Sequence, residues 1–214
     1  MSDAPFSVHL DLPGWTLAWA ELTVDLGSSA AHAALVETIV SARARHGGAL
    51  SPEHPTVAAI RKLFRAAGCD PTRYRPSSEA LLRRVLKGED LAPIQPLVDL
   101  NNALSIELAV PSCIMAAETL APPLVLRAGA PGETFESLRG PFFLEGKPLL
   151  ADTEGPLGTP ITDSVRVKIQ PETTHGWLVA YLPQDVVFPG EAERTLRDLA
   201  ARAAVEVGRV FAVC

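Results

Sequence analysis

The stretch "LVDLNNALSIELAVPSCI", residues 97–114, decides how the rest of the chain is read. Apolar side chains recur in it without strict alternation, which predicts a helix over residues 94–109. Asp99, Asn101 and Asn102 interrupt the apolar run, and Pro111 stops it two residues before Cys113. The segment therefore either lines a site or is a packed helix and strand. Asp99, beside the start of the helix, is expected to cap it. Cys113, among apolar neighbours, is expected to be a buried small hydrophobe.

Upstream the pattern is mainly helical. "WTLAWAELTV" (15–24) is rich in aromatic and β-branched residues and predicts a strand. Ser28 or Ser29 can cap a helix that runs to about Arg45 and ends at Gly47-Gly48, with Leu35, Val36, Ile39 and Val40 as its apolar stripe. Ser51-Pro52 opens a second helix carrying Val57, Ile60, Leu63, Phe64 and Ala67, closed by Gly68. Asp70-Pro71 turns the chain. Ser77 caps a third helix with Leu81, Leu82, Val85 and Leu86 on one face and Gly88 at its end.

Beyond Pro111 the character changes. "PPLVLRA", "FFLEGKPLLA", "SVRVKI" and "WLVAYLP" are strand candidates separated by Gly, Pro, Asp and Glu. A last helix fits Glu191 to Val207, with charged side chains four apart on its outer face. The order of helices, then strands, then one helix predicts an α+β fold in one globule. Within it, residues 1–56 form an N-terminal strand and helices packed on the core, and 186–214 hold the closing helix.

Composition narrows the function classes. The 214 residues are 47% hydrophobic and 21% charged, a globular balance. No apolar run approaches the roughly 18 residues that span a bilayer. The start, "MSDAPFSVHL", lacks a basic flank and an apolar signal core, so a cytoplasmic location without membrane contact is expected. Three dispersed cysteines make no disulfide framework. No phosphate-cradling glycine loop, zinc spacing or nucleophile elbow occurs, so neither a cofactor nor a metal is expected. Asp152 and Glu154 could pair as acid and base, although their Gly/Pro-rich setting favours a solvated turn.

The net charge of −6 is uneven. Residues 61–87 hold eight basic side chains against Asp70 and Glu79, so this stretch carries +6 and the remainder −12. Such asymmetry points to an anionic partner for one face, or to a solvated helical surface.

The opening stretch resembles the signature of the B3/B4 domain of the phenylalanyl-tRNA synthetase β subunit. That signature reads Val-Asp, one residue, Thr-Asn, an apolar helix with Glu-Leu-Gly, then Gln-Pro and a His two after the Pro. Val98, Asp99, Asn102, Glu107, Leu108 and Pro111 match it without a gap. "FRAAGCDPTRYRPSSEALLRRVL" (64–86) is similar to the segment that precedes the signature in freestanding B3/B4 proteins. "LRAGAPGETFESLRG" and "LLADTEGPLGTPITDSVRVKI" follow that group's strand, glycine turn and Asp-Ser. The likeness spans about residues 57–185. It implies a mixed β/α fold without the synthetase's catalytic core.

In the synthetase this domain hydrolyses wrongly attached tyrosine from tRNA. Carried over by position, the family's Thr falls on Asn101, its His on Cys113, and its tyrosine-reading acid on Leu178. All three depart from the editing pattern. Asn101 can still donate and accept hydrogen bonds. Cys113 does not replace an imidazole near pH 7. A leucine offers nothing to a phenolic hydroxyl. The resemblance thus implies an inherited pocket, with Asp99, Asn101, Asn102, Cys113 and Leu178 as its candidates, that has lost the inherited chemistry.

Three functions remain open. One is binding of tRNA or another structured RNA, not DNA. In it Arg73, Arg75, Arg83 and Arg84 contact phosphates and Tyr74 stacks on a base or ribose. Against that, "RYRPSSEA" could tie a loop to acidic groups such as Asp99. The second is removal of a different amino acid from tRNA by water that Asn101, Asp99 and the backbone position. A nucleophilic Cys113 would need a nearby base, and only His175 comes from the same half of the chain. The third is a small-molecule enzyme or sensor that reuses the pocket.

Overall fold

The computed structural model describes residues 4–51 and 53–214. The fold is α+β, built on a four-stranded antiparallel sheet. Its strands are β2 (Trp15–Val24), β3 (Ser112–Ala116), β9 (His175–Pro183) and β10 (Val205–Val213), in the order β10-β2-β9-β3. Alternation along the strands gives this sheet two different faces. Ala18, Ala20, Leu178 and Ala180 point one way, toward α4 (Pro96–Leu108) and α5 (Pro189–Ala203), with α1 (Ala30–His46) packed against both helices. Trp15, Trp19, Trp177 and Tyr181 point the other way. There Phe6 packs edge-on to Trp19 and Trp177, and Trp15 meets Phe64 of α2 (Pro55–Ala66).

A second sheet, order β1-β4-β7-β8, is made by β1 (Val8–Leu10), β4 (Leu124–Ala128), β7 (Pro148–Asp152) and β8 (Gly155–Gly158). A hairpin of β5 (Thr134–Ser137) and β6 (Gly140–Phe143) covers a small apolar cluster of Phe135, Leu144, Leu149 and Ala151. The remaining helix is α3 (Ser77–Leu86).

Several local expectations need correction. In α1 the buried side is Ala31, Ala34, Leu35, Thr38, Ile39 and Ala42, so Val36 and Val40 stand exposed. Alanines let α1 lie close to its neighbours, and an apolar count alone misplaced the stripe. Pro52 lies outside the described residues, and α2 starts at Pro55. Ser77 is the first residue of α3, after a Pro76 cap with no side-chain bond. "SVRVKI" is a 3-10 turn at Val165–Val167, not a strand. The last helix ends at Ala203 and residues from Val205 form β10, because Ala204 turns left-handed (φ 54°). β10 breaks register between Val207 and Val210, a bulge that hid the strand's alternation.

Candidate functional site

The basic stretch folds inward more than outward. Glu79 lies on the buried face of α3, with its side chain 1% exposed. Arg61 of α2 grips it from two nitrogens, Nε at 2.8 Å and Nη2 at 2.9 Å. Arg83, one turn along α3, donates from Nε at 2.9 Å, and Arg75 Nε stands 3.4 Å away. Burial alone would push the Glu79 carboxyl up, but the hydrogen bonds from Arg61 and Arg83 outweigh it and hold it below the ordinary range. Arg75 is thus tied to Glu79, not Asp99. Arg84 pairs with Glu89 at 2.9 Å. Arg73 is exposed, with its guanidinium 5.2 Å from the Tyr74 ring centre.

Tyr74 is occupied. The ammonium of the buried Lys147 sits 3.9 Å from its ring centre, and Phe142 meets the ring edge-on. The ring faces an internal cation, which leaves less of it for a base to stack on.

The opening helix is capped by Gln95, whose side chain accepts from Leu97 N at 2.7 Å. Asp99 instead reaches back to Ile94 N at 3.3 Å and stands 3.5 Å from His32 Nδ1. Burial raises its pKa, opposed by the Ile94 N–H and His32. The cap expectation therefore moves to Gln95. Asn101 is buried, its side-chain oxygen has no hydrogen-bond partner, and its carbonyl accepts from Ser112 Oγ at 3.3 Å. That bond joins Asn101 to the start of β3, beside Cys113. Asn102 is half-buried.

The strand register separates Cys113 from Leu178. Cys113 pairs with Val179 and Ile114 with Leu178, so the two side chains point to opposite faces of the sheet. Leu178 lines an apolar cavity of about 100 Å³ between the sheet and α5, with Leu104, Leu196, Ala18 and Ala20. Cys113 looks toward the aromatic face. The two do not share a pocket.

What Cys113 meets was not foreseen. Cys113 is fully buried, and Tyr181, two residues along β9 from its partner Val179, lies on the same sheet face. Burial, with Asp163 beside it, drives the thiol far above its ordinary value. Burial pushes the Asp163 carboxyl up to about 6, with Cys113 acting in the opposite direction. Tyr181 is 1% exposed and its hydroxyl has no hydrogen-bond partner. Asp163 is placed by a tight loop in which Thr159 Oγ1 donates to Thr162 O and accepts from Thr162 N. Gly158 makes room for it, since a Cβ there would come within 2.8 Å of Asp163 Oδ1. The Asp-Ser at 163–164 was the available signal, but its value depends on a loop that brings it back over the sheet.

His175 is not a base for Cys113. It opens β9 opposite Thr23 and bonds Glu21 at 3.0 Å. Four residues of strand, about 13 Å, separate it from Val179. Asp152 and Glu154 do not form an acid–base pair: Thr153 and Glu154 make the exposed turn that their setting suggested, and Asp152 is held inward. Asp152 Oδ1 accepts from Arg166 at 2.7 Å and from Glu154 N, while Oδ2 accepts from Ala121 N. Among the described residues no group of three or more His, Cys, Asp or Glu could hold a metal ion, and no helix is long and apolar enough to cross a membrane.

The family model named "B3/4 domain" matches residues 59–201. The chain belongs to that family. No curated protein matches it. Among solved structures it is similar to an N-terminal fragment of the phenylalanyl-tRNA synthetase β subunit from Pyrococcus horikoshii, at 14% identity and TM-score 0.48, with 95% of this chain and 50% of that one covered. The chain spans about half the length of that fragment.

Proposed function

We propose that the chain is an RNA-binding B3/4 domain directed at tRNA, with an aminoacyl pocket that lacks the editing groups. The observation that carries this reading is the surplus of cations on α2, the following loop and α3. Arg61, Arg75 and Arg83 share one carboxylate, and their side chains remain 24%, 43% and 37% exposed. The cluster keeps a net charge of +2. Arg65, one turn from Arg61, and Lys62, Arg73 and Lys87 are exposed with no ion-pair partner among the described residues. Guanidiniums fixed by a buried carboxylate can still present free N–H groups to phosphates. Arg84 is neutralised by Glu89 and contributes less.

The test is a tRNA titration at several salt concentrations. Each lost phosphate contact flattens the log–log salt slope by about 0.7 for single-stranded contacts. Arg65→Glu with Arg73→Glu should weaken binding at least tenfold and flatten the slope. Unchanged affinity and slope would falsify this reading.

A second reading, hydrolysis of an aminoacyl ester, is favoured by one observation: a half-buried carboxyl, Asp163, acts electrostatically on the thiol at the position that holds the family's His. In it Asp163 and Asn101 hold the ester or water, and Cys113 stays a neutral thiol. A deacylation screen across charged tRNAs tests it, with Cys113→Ser expected to keep any activity found.

A further inference from the structure

The apolar cavity under α5 plays no part in the readings above. It lies on the helix face of the main sheet, across from the face that carries Cys113. Its floor is made of small side chains. Ala18 of β2 sits between Ala180 of β9 and Ala212 of β10, and Ala20 follows on the same face. Its roof is the start of α5, where Gly190 and Ala192 add little bulk. Interiors are close-packed, so space of about 100 Å³ that a larger side chain would fill is a departure from the rule. Gly190 and Ala212 are exposed, so the cavity reaches the surface between α5 and β10.

The mouth is polar. Glu193 and Val210 border both the cavity and a surface depression walled by Glu21, Arg197, Gly208 and Arg209. Arg197 gives Nε and Nη2 to one oxygen of Glu193, both at 2.9 Å. Arg209 is not engaged in that way. Its Nε stands 3.8 Å from Glu21, beyond hydrogen-bond range, and its side chain is 61% exposed. Glu21 already bonds His175 at 3.0 Å. Arg194 is exposed without an ion pair among the described residues, and its Nη1 lies 3.7 Å from where a Cβ on Gly190 would be. Three guanidiniums therefore meet two carboxylates at this rim. A dry slot behind uncommitted guanidiniums fits an amphipathic anion.

We propose that the cavity takes the tail of a short aliphatic carboxylic acid, with its carboxylate on Arg209. A guanidinium fork matches a carboxylate in shape and charge. A cavity of about 150 Å³ admits the six carbons of benzene, so about 100 Å³ admits roughly four. Pentanoate and isovalerate carry tails of that size. The site shares no residue with the basic surface on α2 and α3, so it stands or falls apart from RNA binding.

The experiment titrates the full chain with the straight-chain acids from acetate to octanoate and with isovalerate, followed by ligand-observed NMR. Alcohols with the same tails form a second arm. Affinity should rise about fourfold per added CH₂ and level off near a four-carbon tail. At low salt the acids should bind at least threefold more tightly than the alcohols, and salt should narrow the gap. Arg209→Gln should close it while leaving the alcohols unchanged. Ala20→Leu fills the slot from β2 and should weaken pentanoate at least tenfold. Leu196→Ala enlarges the slot and should move the best chain length upward by about three carbons, the number it removes. Thermal unfolding of each variant separates lost binding from lost fold, and the shift in Leu196→Ala keeps the test intact if Ala20→Leu does not fold. Affinity independent of chain length, full affinity in a folded Ala20→Leu chain, an unmoved optimum in Leu196→Ala, equal binding of acids and alcohols, or no binding of any acid would overturn the proposal.

Discussion

Glu79 is a fully buried carboxyl and Asp163 a half-buried one, and they sit under opposite regimes. Glu79 is clasped by three guanidiniums from α2, the loop before α3 and α3 itself, and its pKa is lowered. Asp163 has no ion-pair partner among the described residues, and burial raises its pKa to about 6. Burial acts in the same direction on both. The partners decide the outcome. Glu79 is a structural pin that also fixes the geometry of a basic surface. Asp163 has no cation to offset its burial, which costs stability once it ionises.

The largest break in this comparison comes from removing the pin. Glu79→Ala leaves three guanidiniums facing one another around a lost carboxylate. Breaking a buried pair typically costs about 3–5 kcal/mol, and the partial exposure of the arginines places this one near about 3. Chemical denaturation measures it. A loss under about 1 kcal/mol would show that the arginines are solvated independently of Glu79. The pH signature has a definite sign. A lowered folded pKa contributes stability that is present above the unfolded value near 4.5 and is lost as pH falls through the folded one.

Asp163 should show the reverse sign. Its folded pKa lies above the unfolded 3.8, so the chain loses stability as pH rises from about 4 to about 6. A rise of that size corresponds to up to about 3 kcal/mol. Asp163→Asn should therefore raise the unfolding free energy at pH 7, by up to that amount, and flatten its dependence between pH 4 and 6. A destabilised Asp163→Asn chain would show that the carboxylate has donors after all.

Lys147 sharpens the comparison from the other side, as a buried cation answered by ring faces. Tyr74→Leu should cost about 1–2 kcal/mol in stability by removing the face under its ammonium. RNA affinity should stay unchanged, because the ring is engaged internally. A drop in affinity without a drop in stability would return Tyr74 to the RNA surface. The smallest effect is expected at Ala204, an exposed residue held at φ 54°. Ala204→Gly should stabilise by about 0.5–1 kcal/mol, visible as a small rise in melting temperature.

Much of the architecture was legible because it follows local chemistry. "WTLAWAELTV" forms β2 with the predicted bounds, and the signature stretch forms a helix followed by a strand. The boundaries that failed depend on what a residue meets across the fold. "SVRVKI" has strand composition, but its backbone is closed into a turn and Arg166 is drawn to Asp152. The candidate site was legible only in part. Position in the signature marked Asn101 and Cys113, yet nothing in sequence spacing reveals that Leu178 points away from Cys113. That depends on a one-residue register between β3 and β9. Asp163, fifty residues downstream of Cys113, is placed against Gly158 by a loop whose closure by Thr159 only the folded chain displays.

The single left-handed residue between α5 and β10 also constrains how this chain can change in length. With only Ala204 between helix and strand, there is no slack to absorb an added residue. An insertion there would shift β10 by one position against β2 and turn Phe211 away from its stack on Trp19. The bulge at Gly208-Arg209 is the one place in the strand where such a slip could be taken up. Insertions at 204 and compensating deletions at 208–209 should therefore be tolerated together and not apart, which makes the two sites a coupled pair for any lineage or library that varies this end of the molecule.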